Sequence, residues 1–95
     1  MVIWSQPAID DLKSAYEYIK RDSDVYSNRL VEMSIEKCEL ISEFPKTGRI
    51  VPEFKNESYR EVFIYSYRLI YKITDSEIII LAFIHGARDL TSISL

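Results

Sequence analysis

The sequence has few of the residues on which several common kinds of site depend. Its 95 residues include two glycines, one cysteine and one histidine. Gly48 and Gly86 lie too far apart to form a GxGxxG or P-loop motif, which excludes nucleotide binding by those motifs. Cys38 alone cannot form an internal disulfide, and one cysteine with one histidine cannot supply an ordinary zinc site. We therefore expect no metal and no cofactor, and we expect Cys38 to be a buried structural thiol.

Long hydrophobic runs are also missing. The longest apolar run, Ile78–Ile84, is far shorter than the roughly 20 residues of a membrane-spanning helix. Residues Met1–Trp4 lack the basic region and long apolar stretch of a secretory signal, which predicts a cytoplasmic protein with no membrane segment. A hydrophobic content of 47% suffices for the core of one domain, which we assign to residues 1–95.

Charge is distributed unevenly along the chain, whose formal net charge is −3. Residues 1–44 carry five Lys/Arg against nine Asp/Glu (−4), and residues 74–95 carry one against three (−2). Residues 45–73 carry six against three (+3). Because local fields rather than total charge steer association, this basic stretch is a candidate binding surface.

The first half of the sequence predicts a short strand followed by two helices. Met1–Trp4 is apolar, and Ser5 and Pro7 then provide a helix cap and a first-turn proline. Apolar residues recur at spacings of three and four over 7–21, which predicts an amphipathic helix. After a short polar connection, a second amphipathic helix is expected to end near Phe44 and Pro45, forming an antiparallel hairpin with the first.

The last third predicts three strands, at Tyr59–Ile64, Tyr67–Ile73 and Glu77–Ile84. The breaks between them are short, which predicts an antiparallel meander. The expected fold is therefore α+β, in the order βααβββ, with the helical hairpin packed on an antiparallel sheet. Residues 45–57 are expected to form an exposed loop.

The third of these strands raises the question of what covers the sheet. Ile78, Ile79, Ile80 and Leu81 show no alternation, which indicates a central strand covered on both faces. Two helices can cover one face only. The other face therefore packs against the chain's own loop or is left for a partner.

Tyrosines are interspersed among the arginines and lysines of the basic stretch. Arg60, Arg68 and Lys72 lie on predicted strands, Arg49 lies on the preceding loop, and Arg88 follows the last strand. Guanidinium groups bind phosphates and tyrosine rings stack on bases, so this pattern is compatible with a nucleic-acid contact. The same residues also occur on strands for solubility and cross-strand pairing.

Two further residues are candidates for proton transfer. His85 ends the last predicted strand, and an imidazole suits proton transfer at neutral pH. Glu53, in the predicted loop, is a candidate base. Each has a plainer interpretation, since a lone histidine at a strand end is commonly a hydrogen-bonded structural residue and a loop glutamate is commonly solvated.

Four stretches, which in order span nearly the whole chain, carry a family resemblance. They are Trp4–Leu12, Phe44–Arg49, Tyr67–Ile73 and His85–Leu90. Together with the order βααβββ, they resemble the RelE/ParE superfamily of bacterial toxins from type II toxin–antitoxin systems. The resemblance implies a growth-inhibiting toxin with a cognate antitoxin as partner, and DNA gyrase or ribosome-bound mRNA as target.

Superfamily members similar to RelE and YoeB cut mRNA on the ribosome without a metal. By that resemblance, Glu53 matches the base, Arg68 the phosphate-stabilising arginine, and His85 or Arg88 the C-terminal acid or clamp. Fixed cations would then stabilise the dianionic transition state. The chain departs from this pattern because no tyrosine or histidine follows Arg88 and because the paired lysines of the first meander strand are reduced to Arg60.

Members similar to ParE match the chain in Arg60-Glu61-Val62 and in His85–Asp89. They act on DNA gyrase by protein contact and need no catalytic residues. The acidity of the chain also favours this group, since entry into the ribosome benefits from strong positive charge.

The favoured hypothesis is therefore a ParE-like gyrase inhibitor, which an antitoxin neutralises by wrapping a segment around the helices and the incompletely covered sheet. The alternatives are a ribosome-dependent mRNA endoribonuclease, with Arg68, His85 and Glu53 as catalytic residues, and a non-toxic member that only binds an antitoxin. The expected binding residues are Arg60, Arg88, Lys72 and Arg49.

Overall fold

The computed structural model of the chain describes residues 1–88 and residue 90. In chain order the elements are β1 (Val2–Trp4), α1 (Gln6–Lys20), α2 (Asp24–Glu43), a 3-10 turn (Pro45–Thr47), β2 (Arg49–Ile50), β3 (Tyr59–Ile64), β4 (Tyr67–Ile73) and β5 (Ile78–His85). Neither helix in this part of the chain is long and apolar enough to cross a membrane. Asp89, part of the His85–Asp89 pattern, and residues 91–95 of the predicted domain lie outside the described residues.

Both helices begin at serine caps. The Ser5 side chain accepts a hydrogen bond from the Ala8 amide, and the Ser23 side chain accepts one from the Tyr26 amide. Each serine thus satisfies an amide that the first helical turn would leave free. The helical hairpin is confirmed: α1 lies within one residue of its predicted bounds, and α2 ends within two residues of its predicted end. Cys38 of α2, expected to be buried, is only partly so.

The sheet has five strands in the order β1-β5-β4-β3-β2. The antiparallel meander of β3, β4 and β5 is confirmed. Two features differ from the prediction: β1 pairs in parallel with β5, and the two-residue β2 pairs with β3 inside the segment predicted to be a loop. A strand of two residues is too short to show an alternating pattern, which is why β2 was not predicted. The pairing of β1 with β5 depends on the two helices that connect β1 to the meander, because parallel strands need a crossover connection of this kind.

The sheet is covered on both faces. The helices pack on one face over a core that includes Leu30, Ile41, Ile64, Leu69, Tyr71, Ile80 and Phe83. The other face carries a second cluster of Val51, Ile70, Ala82, Ile84 and Leu90, to which Phe54 and Tyr59 add. The chain's own 51–58 segment therefore covers the face that the helices leave, so the expectation of a loop exposed throughout 45–57 is wrong at Val51, which is fully buried. The cover also removes the unprotected sheet face that motivated antitoxin wrapping.

Candidate functional site

An ion-pair network lies at the centre of the second face of the sheet. Arg68 projects from β4, and its two terminal nitrogens each donate to one oxygen of Glu53, both at 2.8 Å. Its Nε donates to Glu61 Oε1 at 2.6 Å. Arg68 and Glu61 are both buried. Arg68 therefore joins β4, β3 and the 51–58 segment, and its guanidinium is occupied by two carboxylates.

Arg49 completes the network from β2. Its Nε donates to Glu61 Oε2 at 2.6 Å, while its guanidinium lies over the Phe63 ring at 5.2 Å and its side chain stays 57% exposed. Two arginines thus balance two glutamates. A buried carboxylate such as that of Glu61 is tolerated because both of its oxygens accept charge-assisted hydrogen bonds.

The Arg68 guanidinium lowers the pKa of Glu53 to about 2 from an ordinary value of 4.5. Because the folded pKa is depressed, the stability from this pair is complete above pH 4.5 and is lost as the pH falls toward 2. Glu53 is 21% exposed to water, which screens the pair, and we set its contribution at about 1–2 kcal/mol.

We expect the free energy of unfolding of the wild type to fall more steeply between pH 5 and pH 2 than that of Glu53→Gln, with the two curves converging at the acid end. Urea denaturation across this pH range measures the difference. Glu57→Gln, an exposed change nearby, is the control and should follow the wild type. Parallel wild-type and Glu53→Gln curves would contradict the ion pair.

A second set of polar contacts holds the turn at 45–48 against the sheet. Tyr71, buried on β4, donates its hydroxyl hydrogen to the Pro45 carbonyl at 2.6 Å and accepts from the Gly48 amide at 2.9 Å. Arg60 donates to the carbonyls of Gly48, at 3.0 Å, and Glu57. The two side chains are cross-strand partners and act on the same turn.

Tyr71→Phe is expected to lower the free energy of unfolding by about 1–3 kcal/mol, because it leaves the buried Gly48 amide without an acceptor. Tyr65→Phe, on an exposed turn, is the matched control and should change stability by less than about 0.5 kcal/mol. Equal losses in the two variants, compared by urea denaturation, would show that the Tyr71 hydroxyl has no anchoring role.

His85 lies on the opposite face of the sheet from Arg68. Arg68 pairs with Ile84 of the second-face cluster, whereas Tyr67, the partner of His85, belongs to the helix-side core. The His85 ring lies edge-on to Tyr67, with centroids 5.9 Å apart, and its Nδ1 accepts the Ala87 amide at 3.2 Å. Of the three residues predicted for RNA cleavage, the structure brings together Glu53 and Arg68 and leaves His85 apart.

The remaining predicted binding residues are dispersed. Arg49 and Arg60 contact the chain itself, and the Lys72 amine lies 5.3 Å from the centroid of the Tyr59 ring. Arg88 is exposed and lines a groove together with Asp11, Tyr18 and His85. Among the described residues no group of three or more His, Cys, Asp or Glu side chains could hold a metal ion.

A groove rich in tyrosine lies at the end of the helical hairpin and was not foreseen from the sequence. It has a volume of about 400 Å³ and adjoins the groove that Arg88 lines. Its aromatic lining residues, which we call the tyrosine groove, are Tyr18, Tyr26, Tyr65, Tyr67 and His85. They come from both helices, the turn between β3 and β4, the start of β4 and the end of β5, so no local pattern could reveal them. Nothing in the sequence indicates that these tyrosines share one surface.

Comparison with known proteins agrees with this architecture. The family model described as "ParE toxin of type II toxin-antitoxin system, parDE" matches residues 2–90. Among solved structures, a chain of the chromosomal ParDE toxin–antitoxin system from P. aeruginosa has the same fold, with a TM-score of 0.69, 17% identity, and coverage of 88% of this chain and 92% of that chain. Comparison with curated protein sequences gives no significant match. The family match spans nearly the whole chain, and this protein therefore belongs to the ParE toxin family of type II toxin–antitoxin systems.

Proposed function

We propose that this toxin inhibits DNA gyrase in the cytoplasm by protein contact and that a cognate antitoxin neutralises it. The observation that carries the proposal is the bidentate pairing of Arg68 with Glu53. These are two of the three residues that an mRNA-cleaving toxin of this superfamily would use. In this chain they are bonded to each other.

The pairing is unfavourable for acid–base chemistry. A general base works best with a pKa near the operating pH, and that of Glu53 is held at about 2. The Arg68 guanidinium, whose donors face carboxylates at 2.6–2.8 Å, would have to break these bonds to receive a phosphate. His85 lies across the sheet from both. The arrangement supports a structural role for Arg68 and Glu53. It therefore also supports the proposal that this toxin acts without cleaving RNA.

We assign the gyrase contact to the tyrosine groove and the adjacent Arg88. Tyrosine and arginine are the residue types that most often dominate the binding energy of protein interfaces. Tyr18 and Tyr26 are 63% and 61% exposed, so both rings are accessible to a partner. Tyr26 and Tyr65 also contact each other edge to face, with centroids 6.1 Å apart, which holds both rings in place.

Expression in cells tests the proposal. Induction of the toxin alone should arrest growth and leave reporter plasmids relaxed, since gyrase introduces negative supercoils, while mRNA stays intact. Co-expression of the product of the adjacent gene should restore growth and supercoiling. Cut mRNA with normal supercoiling would instead identify an endoribonuclease, and normal growth would identify a member that is not toxic.

Arg88→Glu is expected to raise the toxin concentration for half-maximal inhibition of purified gyrase by about tenfold, because reversing a charge at an interface replaces attraction by repulsion. Lys55→Glu, an equal change of charge in an exposed part of the 51–58 segment, should alter it by less than twofold. Equal effects of the two variants would indicate general electrostatic attraction rather than a contact at the groove.

A further inference from the structure

The groove that Arg88 lines, which we call the Arg88 groove, adjoins the tyrosine groove and has a volume of about 430 Å³. Arg88 is exposed and forms no ion pair with any of residues 1–88 and 90. Tyr18, Tyr67 and His85 line both grooves. His85 and Arg88 therefore lie where the two grooves meet, three residues apart in the chain.

The turn at 85–88 holds Arg88 in place. The Gly86 amide donates to the Ser66 carbonyl at 2.6 Å, and the Arg88 amide donates to the His85 carbonyl at 3.0 Å. Two residues beyond Arg88, Leu90 is fully buried in the second-face cluster. The backbone is thus fixed on both sides of Arg88. A side chain on a fixed backbone loses less conformational freedom when it binds a partner.

The hydrogen bonds of His85 decide which of its ring nitrogens can donate to a partner. Its Nδ1 accepts the Ala87 amide at 3.2 Å, so the proton of the neutral ring is on Nε2. Among residues 1–88 and 90, none accepts a hydrogen bond from this Nε2–H, and the side chain is exposed. The edge-on contact with Tyr67 orients the ring. His85 therefore has one free donor.

The free polar groups at the junction of the two grooves are donors. A guanidinium has no acceptor, and its planar fork matches the two oxygens of a carboxylate. The Nε2–H of His85 adds a donor on the same turn as Arg88. An acidic side chain suits this set, because it accepts hydrogen bonds from every donor and carries the charge opposite to that of Arg88.

We propose that His85 and Arg88 together bind one carboxylate, supplied by an Asp or Glu side chain of gyrase. The Arg88 guanidinium binds the carboxylate oxygens, and the Nε2–H of His85 donates to one of them. This inference rests on the proposed function, in that it takes gyrase as the partner. It gives His85 a binding role without proton transfer, and it makes an acidic residue of gyrase a requirement for inhibition.

Asp11 allows the charge of the ligand to be tested, because it is the acidic residue that lines the Arg88 groove. Its Oδ2 accepts the Phe83 amide at 3.0 Å, and Asp11→Asn keeps an oxygen for this bond while removing the charge. Less repulsion of an incoming carboxylate should lower the toxin concentration for half-maximal inhibition of purified gyrase about threefold at low salt.

Asp10→Asn makes the same change in charge at an exposed position that lines neither groove, and it should leave this concentration unchanged within about 1.5-fold. A higher inhibitory concentration for Asp11→Asn than for the wild type would show that the groove receives a cation. That result would overturn the carboxylate site.

A double-mutant cycle tests whether His85 and Arg88 bind the same group. His85→Asn keeps an acceptor for the Ala87 amide but removes the Nε2 donor, and Arg88→Met removes the guanidinium. Each should raise the inhibitory concentration about fivefold. Independent contacts would multiply to about 25-fold in the double variant, whereas a shared carboxylate, already released by either change, gives about tenfold or less. Arg88→Met with Tyr26→Ala is the control cycle and should multiply, since Tyr26 does not line the Arg88 groove.

The tautomer of His85 can be measured without gyrase, because the chain has one histidine. Nitrogen NMR spectroscopy of the free toxin at pH 8, above the range in which an ordinary imidazole titrates, should show the proton on Nε2. A proton on Nδ1 would overturn the site, because the Ala87 amide could then not be bound and the free donor would be lost.

The outcomes separate this inference from the proposed function. If the wild type inhibits gyrase but the effects of His85→Asn and Arg88→Met multiply, or either variant inhibits like the wild type, the carboxylate site is overturned and gyrase inhibition stands. If the wild type does not inhibit gyrase, the proposed function is overturned, and the carboxylate site with it.

Discussion

Arg68→Met is expected to lower the free energy of unfolding by about 3–5 kcal/mol, the cost of removing one member of a buried ion pair. Met is close to Arg in length and fills the apolar part of its site, so the loss reports the charge rather than a cavity. Without Arg68, the buried Glu61 keeps only Arg49, and Glu53 loses both of its hydrogen-bond donors on Arg68. Urea denaturation at pH 7 measures the difference.

Two further variants isolate the cause. Arg88→Met, at an exposed position, should change stability by less than about 0.5 kcal/mol. Arg68→Met/Glu61→Met should recover at least half of the loss, because it also removes the buried carboxylate that Arg68→Met leaves short of a partner. A loss below about 1 kcal/mol in Arg68→Met would show that the network contributes little to the fold.

Gly48→Ala is expected to cost about 2–3 kcal/mol by steric overlap. A Cβ atom at Gly48 would lie 2.6 Å from the Glu61 carbonyl oxygen and 2.6 Å from the Tyr71 hydroxyl oxygen. The backbone at Gly48 is extended, with φ −76° and ψ 154°, so alanine meets no conformational strain there. Glycine is needed at this position because the 45–48 turn lies directly against β3 and β4.

The neighbouring Thr47→Ala serves as control, and its exposed side chain predicts a change below about 0.5 kcal/mol. Where no overlap exists, Gly→Ala stabilises a protein by about 0.4–1 kcal/mol through the unfolded chain. A Gly48→Ala variant as stable as the wild type, or more so, in urea denaturation would therefore contradict the close approach of turn and sheet.

The meander could be read from the sequence because its signals are local. β3 and β4 have the predicted bounds, Tyr59–Ile64 and Tyr67–Ile73, and only Tyr65 and Ser66 separate them. Tyr65 adopts a positive φ of 52°, which suits the tight turns that join antiparallel strands. Apolar periodicity and a two-residue break were sufficient to fix both strands and their antiparallel pairing.

The network around Arg68 could not be read in the same way because its partners are distant in the chain. Glu53 and Glu61 precede Arg68 by fifteen and seven residues, and they meet it only when the 51–58 segment folds back over the sheet. One local signal did exist, since Glu61 is a charged residue between the aromatic Tyr59 and Phe63 on one face of β3. Such a residue is buried only with a cationic partner.

The basic stretch at 45–73 consequently has a different role from the binding surface that its charge suggested. Three of its six cations, Arg49, Arg60 and Arg68, bind carboxylates or carbonyls of the chain itself. Their contacts attach the turn at 45–48 and the 51–58 segment to the sheet. Half of the local positive charge is therefore used in folding, and the tyrosine groove becomes a candidate contact surface.

Purified toxin assayed in parallel against gyrase and against mRNA in a translating extract tests most directly whether this toxin acts by contact. We expect the wild type to inhibit gyrase supercoiling and to leave mRNA uncut, and we expect Glu53→Gln, folded at neutral pH, to inhibit gyrase at the same concentration within twofold. Cleavage of mRNA by the wild type, lost in Glu53→Gln, together with undisturbed supercoiling, would contradict the proposal and make Glu53 a catalytic residue.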